Sequence, residues 1–156
     1  YSDHIYQVAK NMMHRLRPSV LDEFGLIKAL QSMIDDWNSR QDNIFCHFSF
    51  SNIPSDLTEL LNISFFRIVQ ESLTNALKYS SASKILISMN SVNFSGSNYI
   101  NLNIHDDGVG LNKDKPMTGL GLPGMKERVE MNHGKFELIS EVNKGLTIDI
   151  SIPIKS

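Results

Sequence analysis

Arg67-Ile68-Val69-Gln70-Glu71-Ser72-Leu73-Thr74-Asn75-Ala76-Leu77-Lys78-Tyr79 is the stretch on which the reading turns. With the residues that lead into it from position 58, it sets Phe66, Val69, Leu73, Ala76 and Leu77 on one stripe at helical spacing. Arg67, Glu71, Asn75 and Lys78 follow at steps of four, four and three, and share the opposite side. An amide, a carboxylate and an ammonium in one row can hold a hydrated Mg²⁺ and the phosphates it carries. Hard cations take oxygen ligands, and Mg²⁺ keeps waters while sharing itself with phosphate. Standing alone, the same row reads more simply as a solvated helix face with charge pairs.

Around this helix the pattern is mixed. Cys46, Phe48 and Phe50 alternate with polar residues, the period-two mark of a strand. Residues 84–92 and 99–105 read as two strands joined by Ser95-Gly96-Ser97-Asn98. Residues 135–141 and 147–154 read as two more, the last with Ile148, Ile150, Ile152 and Ile154 in strict alternation. Residues 26–40 form an amphipathic helix through Leu26, Leu30, Met33, Ile34 and Trp37. Residues 123–132 form a short one, with Pro123 near its start and Gly134 just past its end. The expected fold is α+β: a two-layer α/β sandwich with a mixed sheet and helices on one face.

Two glycine clusters flank the later elements. Asp106-Asp107-Gly108-Val109-Gly110 ends a strand whose inward residues are Ile100, Leu102 and Ile104. An Asp there can accept a hydrogen bond from an exocyclic amine at the floor of an apolar pocket, and glycines let the backbone approach a ring. Gly119-Leu120-Gly121-Leu122-Pro123-Gly124-Met125 runs into the short helix. Backbone N–H groups at a helix start favour an anion, with Lys113, Lys115 and Lys126 nearby. Each cluster alone also reads as a turn or a loop. The second lacks a Gly-Lys-Ser/Thr ending and is no Walker loop.

At the amino end, Ile5, Ala9, Met12 and Leu16 make an a/d seam that Pro18 stops. The expected organisation is a partial dimerisation helix over residues 1–18, a connector over 19–25 and a catalytic domain over 26–156. The 156 residues carry 15 Lys and Arg against 17 Asp and Glu, a balance that argues against nucleic-acid or membrane-surface binding. A single cysteine, Cys46, excludes an internal disulfide and a multi-cysteine zinc site, and fits a reducing compartment. No apolar run is long enough for a membrane span. The opening at Tyr1 reads as a cut from a longer protein.

The three clusters, in this order, resemble the ATP-binding domain of sensor histidine kinases, a Bergerat-type fold in the superfamily of gyrase and the Hsp90 chaperone. Residues 67–79 look like the N box, 106–111 like the first glycine box, and 119–129 like the second. Leu16-Arg17-Pro18, Leu21-Asp22 and Gly25-Leu26 resemble the branch of nitrate and hexose-phosphate sensors that signals to helix-turn-helix response regulators. The resemblance implies a protein-histidine kinase that binds Mg·ATP. Asn75 would coordinate Mg²⁺ and Glu71 would hold a metal-bound or attacking-group water. Asp106 would take the adenine amine, and Gly108 and Gly110 would shape the base pocket. Gly119, Gly121 and Gly124 would flank the phosphates, with Lys78 and Tyr79 as neighbours.

It further implies a homodimeric parent, cytoplasmic in its catalytic part and anchored in the bacterial inner membrane. The phosphoacceptor His would lie outside this chain, because His4, His14, His47, His105 and His133 all read as structural or surface histidines. One departure stands out. The family usually has Gly-Thr where this chain has Gly145-Leu146, with Thr147 one position later. Either the register shifts by one, keeping Thr147 in the site, or that hydroxyl contact is absent. Two other readings stand beside the kinase: a regulatory module that keeps the fold without catalysis, and another ATPase of the superfamily.

Overall fold

The computed structural model of the protein describes residues 19–110, 121–141 and 143–154. The expected dimerisation helix, residues 1–18, lies outside them. Helix α1 (Ser19–Arg40) takes in the residues 19–25 expected to form a connector. Nothing in residues 19–24 breaks a helix. The break sits at Gly25 alone, whose φ of 81° and ψ of −179° join two helical pieces across a kink. Beyond it Leu26, Ala29, Leu30 and Ile34 are buried, with Met33 and Trp37 packed against them.

Strand β1 (Phe45–Ser51) leads to α2 (Glu59–Asn75), whose start is capped by Thr58: its Oγ1 accepts from Leu61 N–H at 3.2 Å. The expected single helix through Tyr79 ends early. Residues Ala76–Ser80 form a π-helical turn, a wider turn that shifts the faces that follow. Phe66, Val69, Leu73 and Ala76 are buried as expected, but Leu77, counted with that stripe, is 50% exposed.

Strands β2 (Lys84–Phe94) and β3 (Ser97–Asp106) form a hairpin. Its two-residue turn places both Ser95 (φ 54°) and Gly96 (φ 82°) in the left-handed region, the geometry that matches strand twist. Helix α3 (Leu122–Met131) follows the second glycine cluster, and strands β4 (Lys135–Glu141) and β5 (Gly145–Ile154) close the chain. The sheet order is β1-β2-β3-β5-β4, with β1 parallel to β2 and the other pairs antiparallel.

Strand alternation sorts the sheet into two faces. Ile85, Ile87, Met89, Ile100, Leu102, Ile104, Ile148, Ile150 and Ile152 are buried on one, beneath the helices. Burial of each such side chain contributes about 1.5–3 kcal/mol. Leu86, His105, Thr147 and Ile139 form a cross-strand row on the other, exposed or half-exposed face. The architecture is the expected mixed, two-layer α+β arrangement. Among the described residues no helix is long and apolar enough to cross a membrane.

Gly134 lies just past the end of α3, as expected, and His133 (φ 62°) takes the left-handed position. His133 N–H donates to Glu130 C=O and Gly134 N–H to Val129 C=O, which satisfies the last carbonyls. Gly134 is needed for space, since a Cβ there would lie 2.7 Å from Ile152 Cγ1 and from Ser151 C=O. Buried Asn132 fastens the same end to α2, with Nδ2 donating to Ser64 Oγ at 3.1 Å and to Arg128 C=O at 2.9 Å.

Candidate functional site

Asp106 continues the inward series Ile100, Leu102, Ile104 and is therefore a buried carboxyl at the end of β3. Its cross-strand neighbours are Ile85 and Leu146. Burial pushes the carboxyl above its usual range. The backbone N–H groups of Gly108 and Leu146 and the nearby His105 oppose that rise only in part. Gly108 N–H donates to Asp106 Oδ1 at 2.9 Å, so the group is held in place as an acceptor facing the interior.

The chain beyond is packed backbone to backbone. Gly108 is buried. Gly110 has φ 76°, and a Cβ there would lie 2.6 Å from Glu141 C=O and 2.8 Å from Ser140 Oγ. Val109 C=O accepts from Asn143 N–H at 3.0 Å. Gly145 (φ 92°) is pressed against the Asp106 carbonyl, with which any Cβ would overlap.

Thr147 does not join this group. The β3–β5 register pairs Asp106 with Leu146 and His105 with Thr147, without a slip. Leu146 therefore stands beside Asp106, and Thr147 lies across from His105 on the opposite face, its Oγ1 2.8 Å from His105 Nδ1. The regular register thus shows no one-residue shift at Gly145-Leu146 that would bring Thr147 beside Asp106.

On the helical side, Arg67, Glu71 and Asn75 run up α2 at four-residue steps. Arg67 departs from the expected exposed row, since it is only 9% exposed. Its Nη1 donates to Gln70 Oε1 at 2.9 Å. Burial and then the Arg128 guanidinium lower its proton affinity, which marks two like charges held near one another.

Glu71 is half-buried and lies against Gly121, where a Cβ would overlap Oε1. Gly121 (φ 67°) caps α3, while Gly124, in the first turn, has open space where its Cβ would be. Arg67, Ile68 and Glu71 of α2 and Gly121, Gly124, Met125 and Arg128 beside them line a cavity of about 220 Å³.

The structure thus brings Glu71, Gly121 and Gly124 together, and forms a second group from Asp106, Gly108 and Gly110. Asn75 is half-buried at the end of α2, and Lys78 is exposed in the π turn that follows. Gly119, Lys113, Lys115 and the Tyr79 side chain lie outside the described residues. Arg128 lines the cavity without belonging to the residues that the sequence motifs mark as a site. Its only local signal is the spacing Gly121, Gly124, Arg128, which lies on one side of a helix. Among the described residues no three His, Cys, Asp or Glu side chains cluster as a metal cage. Two oxygen donors one turn apart, Glu71 and Asn75, suit a cation that keeps waters and phosphate oxygens, as Mg²⁺ does.

The family of histidine kinase-, DNA gyrase B-, and HSP90-like ATPases matches residues 61–156. The sensor histidine kinase ComP of Bacillus subtilis is 32% identical over 157 residues, which cover 96% of this chain and 19% of that protein. The oxygen sensor histidine kinase NreB of Staphylococcus carnosus is 32% identical over 150 residues, covering 93% of this chain and 41% of NreB. The chain therefore spans well under half the length of these relatives. The solved structure of the Acinetobacter baumannii histidine kinase AdeS superposes with a TM-score of 0.66 at 16% identity, over 99% of this chain and 81% of that one. At that identity the likeness concerns the fold.

Proposed function

Because the chain belongs to the histidine kinase-, DNA gyrase B-, and HSP90-like ATPase family, within which its relatives are sensor histidine kinases, we propose that it binds Mg·ATP and delivers the γ-phosphoryl group to a histidine outside this chain. The observation that carries this reading is the contact of Glu71 with Gly121, which joins the polar row of α2 to the second glycine cluster.

Asp106 accepts a hydrogen bond from the adenine amine, its other donors being backbone groups that fix its direction. Gly108 and Gly110 leave room for the base. Gly119, Gly121 and Gly124 would flank the phosphates, with Lys78 and Tyr79 as neighbours. Asn75 and Glu71 would hold Mg²⁺, which when bound neutralises charge on the phosphate oxygens. Glu71 orients the attacking group, and Arg67 and Arg128 add positive charge beside it. Catalysis of this kind rests on positioning and charge neutralisation, as in phosphoryl transfer generally.

The chain's own described histidines have other settings: His105 is bonded to Thr147, His47 stacks edge-on against Phe45 at 4.7 Å, and His133 ends α3. In this reading the phosphoryl passes on to an aspartate of a response regulator with a helix-turn-helix output domain. The parent is a homodimer anchored at the inner membrane with this domain on the cytoplasmic side.

Calorimetric titration with ATP, with and without Mg²⁺, tests the core of the proposal. Native protein should bind in the micromolar range, roughly −7 to −8 kcal/mol. Asn75→Ala should lose most of the Mg²⁺-dependent part. A native protein that gives no heat, or an Asn75→Ala variant indistinguishable from it, overturns the assignment.

A further inference from the structure

Asp107 has no role in the reading above, yet its carboxylate is tied down on both oxygens. Directly after the end of β3, it is exposed where Asp106 is buried. Oδ1 accepts from Ser83 N–H at 2.8 Å and from Lys84 N–H at 3.0 Å, and Oδ2 accepts from Ser83 Oγ–H at 2.8 Å. Asp107 N–H donates to Lys84 C=O at 3.2 Å, and Ser83 C=O accepts from Phe45 N–H at 3.1 Å. The regular β2–β3 ladder ends at Ile85 and Asp106. The Asp107 side chain extends it by supplying the acceptors that another strand residue would have offered.

What this clasp holds is the stretch leaving the π turn. The chain passes from Lys78 through left-handed Ser81 (φ 54°) to Ser83 and Lys84 in a few residues. The carboxylate therefore fastens the segment that follows the turn bearing Lys78 to the strand end that bears Asp106. Burial pushes the Asp107 carboxyl up, but the donors from Lys84 and Ser83 together outweigh it. The group sits below the usual carboxylate range and stays an ionised acceptor at neutral pH.

We infer that Asp107 is a positioning residue for nucleotide binding: it fixes the spacing between Asp106 at the base end and the Lys78 turn at the phosphate end without touching the ligand. This rests on the nucleotide reading given above. A ligand that spans both ends feels that spacing, and one that occupies only the base end does not. Because the Asp107 side chain is exposed, water competes for its partners. Its loss should accordingly disturb local alignment more than global stability.

The test compares ATP with adenosine, which lacks the phosphates, in native protein and in Asp107→Ala, Asp107→Asn and Ser83→Ala. Calorimetry follows ATP and NMR shift titration follows adenosine. Asp107→Ala should bind ATP about tenfold more weakly and adenosine within twofold of native. Asp107→Asn keeps an oxygen for the two N–H donors and should recover most of the ATP affinity. Ser83→Ala removes one bond only and should fall between native and Asp107→Ala, which keeps the test decisive even if Asp107→Ala folds poorly. Equal losses for ATP and adenosine, or an Asn variant no better than Ala, would overturn the positioning role. If native protein binds adenosine but not ATP, or binds neither, the nucleotide reading itself fails, and this inference with it.

Discussion

At the Asp106 end of the site, position is a property of the backbone. Asp106 is fixed by strand register between Ile85 and Leu146, and Gly145 and Gly110 press against neighbouring main chain with no room for a Cβ. In the cavity beside Glu71, position is a property of side chains. Arg67, Glu71 and Arg128 meet across two helices, and Gly124 faces open space. The first region is expected to be rigid before any ligand arrives. The second is held by helix packing through Asn132 and Met125 and is more open to adjustment. On the proposed reading, the difference separates directional recognition of a flat ring from electrostatic accommodation of a charged tail.

The sharpest way to break this contrast is Gly145→Ala. A methyl group there meets the Asp106 carbonyl at a φ that already disfavours L-residues. The expected loss is about 3–5 kcal/mol, the range of severe backbone and packing defects, read as a shift in the urea midpoint. A loss under about 1 kcal/mol would show that the strand end yields more easily than its packing suggests.

Asp106→Asn comes next and separates stability from recognition. ATP affinity should fall about 10–100-fold, the value of a hydrogen bond to a charged group. Stability at neutral pH should hold or rise. The sign follows from the carboxyl's raised native pKa: ionisation then costs the folded state, so native stability declines as pH climbs from the ordinary carboxylate value of about 4 through the raised one. The variant lacks that decline, so the two stability curves should approach each other on the acid side. Curves that stay parallel across that window would remove the burial argument.

Gly124→Ala probes the softer region. Replacing a helical glycine that has open space in front of it should add about 0.5 kcal/mol, while ATP affinity falls severalfold if phosphates pass that face. Unchanged affinity would take Gly124 out of the phosphate wall. The smallest effect is expected from Thr147→Val. It removes the bond to His105 on the open side of the sheet, at about 0.5 kcal/mol, and should leave nucleotide binding untouched. A marked loss of affinity would return Thr147 to the site.

Much of this was legible in the sequence because it depends on period. The α2 stripe, the inward series leading to Asp106 and the alternation of Ile148, Ile150 and Ile152 all reached their expected places. That alternation already implies that Thr147 faces away from the core, so its place on the far side from Asp106 needs no three-dimensional information. Other features depend on contacts that no local pattern encodes. Arg67 looks solvent-exposed until α3 is laid over it, and the exposure of Leu77 follows from the π turn after Asn75. The helical state of residues 19–24 is hard to read because Gly25 makes a single kink that resembles the middle of a longer irregular stretch.

The π turn at Ala76–Ser80 also makes residue count itself a specification. Such a turn accommodates one residue more than the α-helical ladder requires. Deleting a single residue there would return the ladder to α-helical spacing and leave the chain beyond it nearly where it was. Lys78, inside the turn, would instead change its direction relative to Asn75 even though every side chain in the row remained. Anyone grafting this helix into another scaffold must carry the surplus residue along with it.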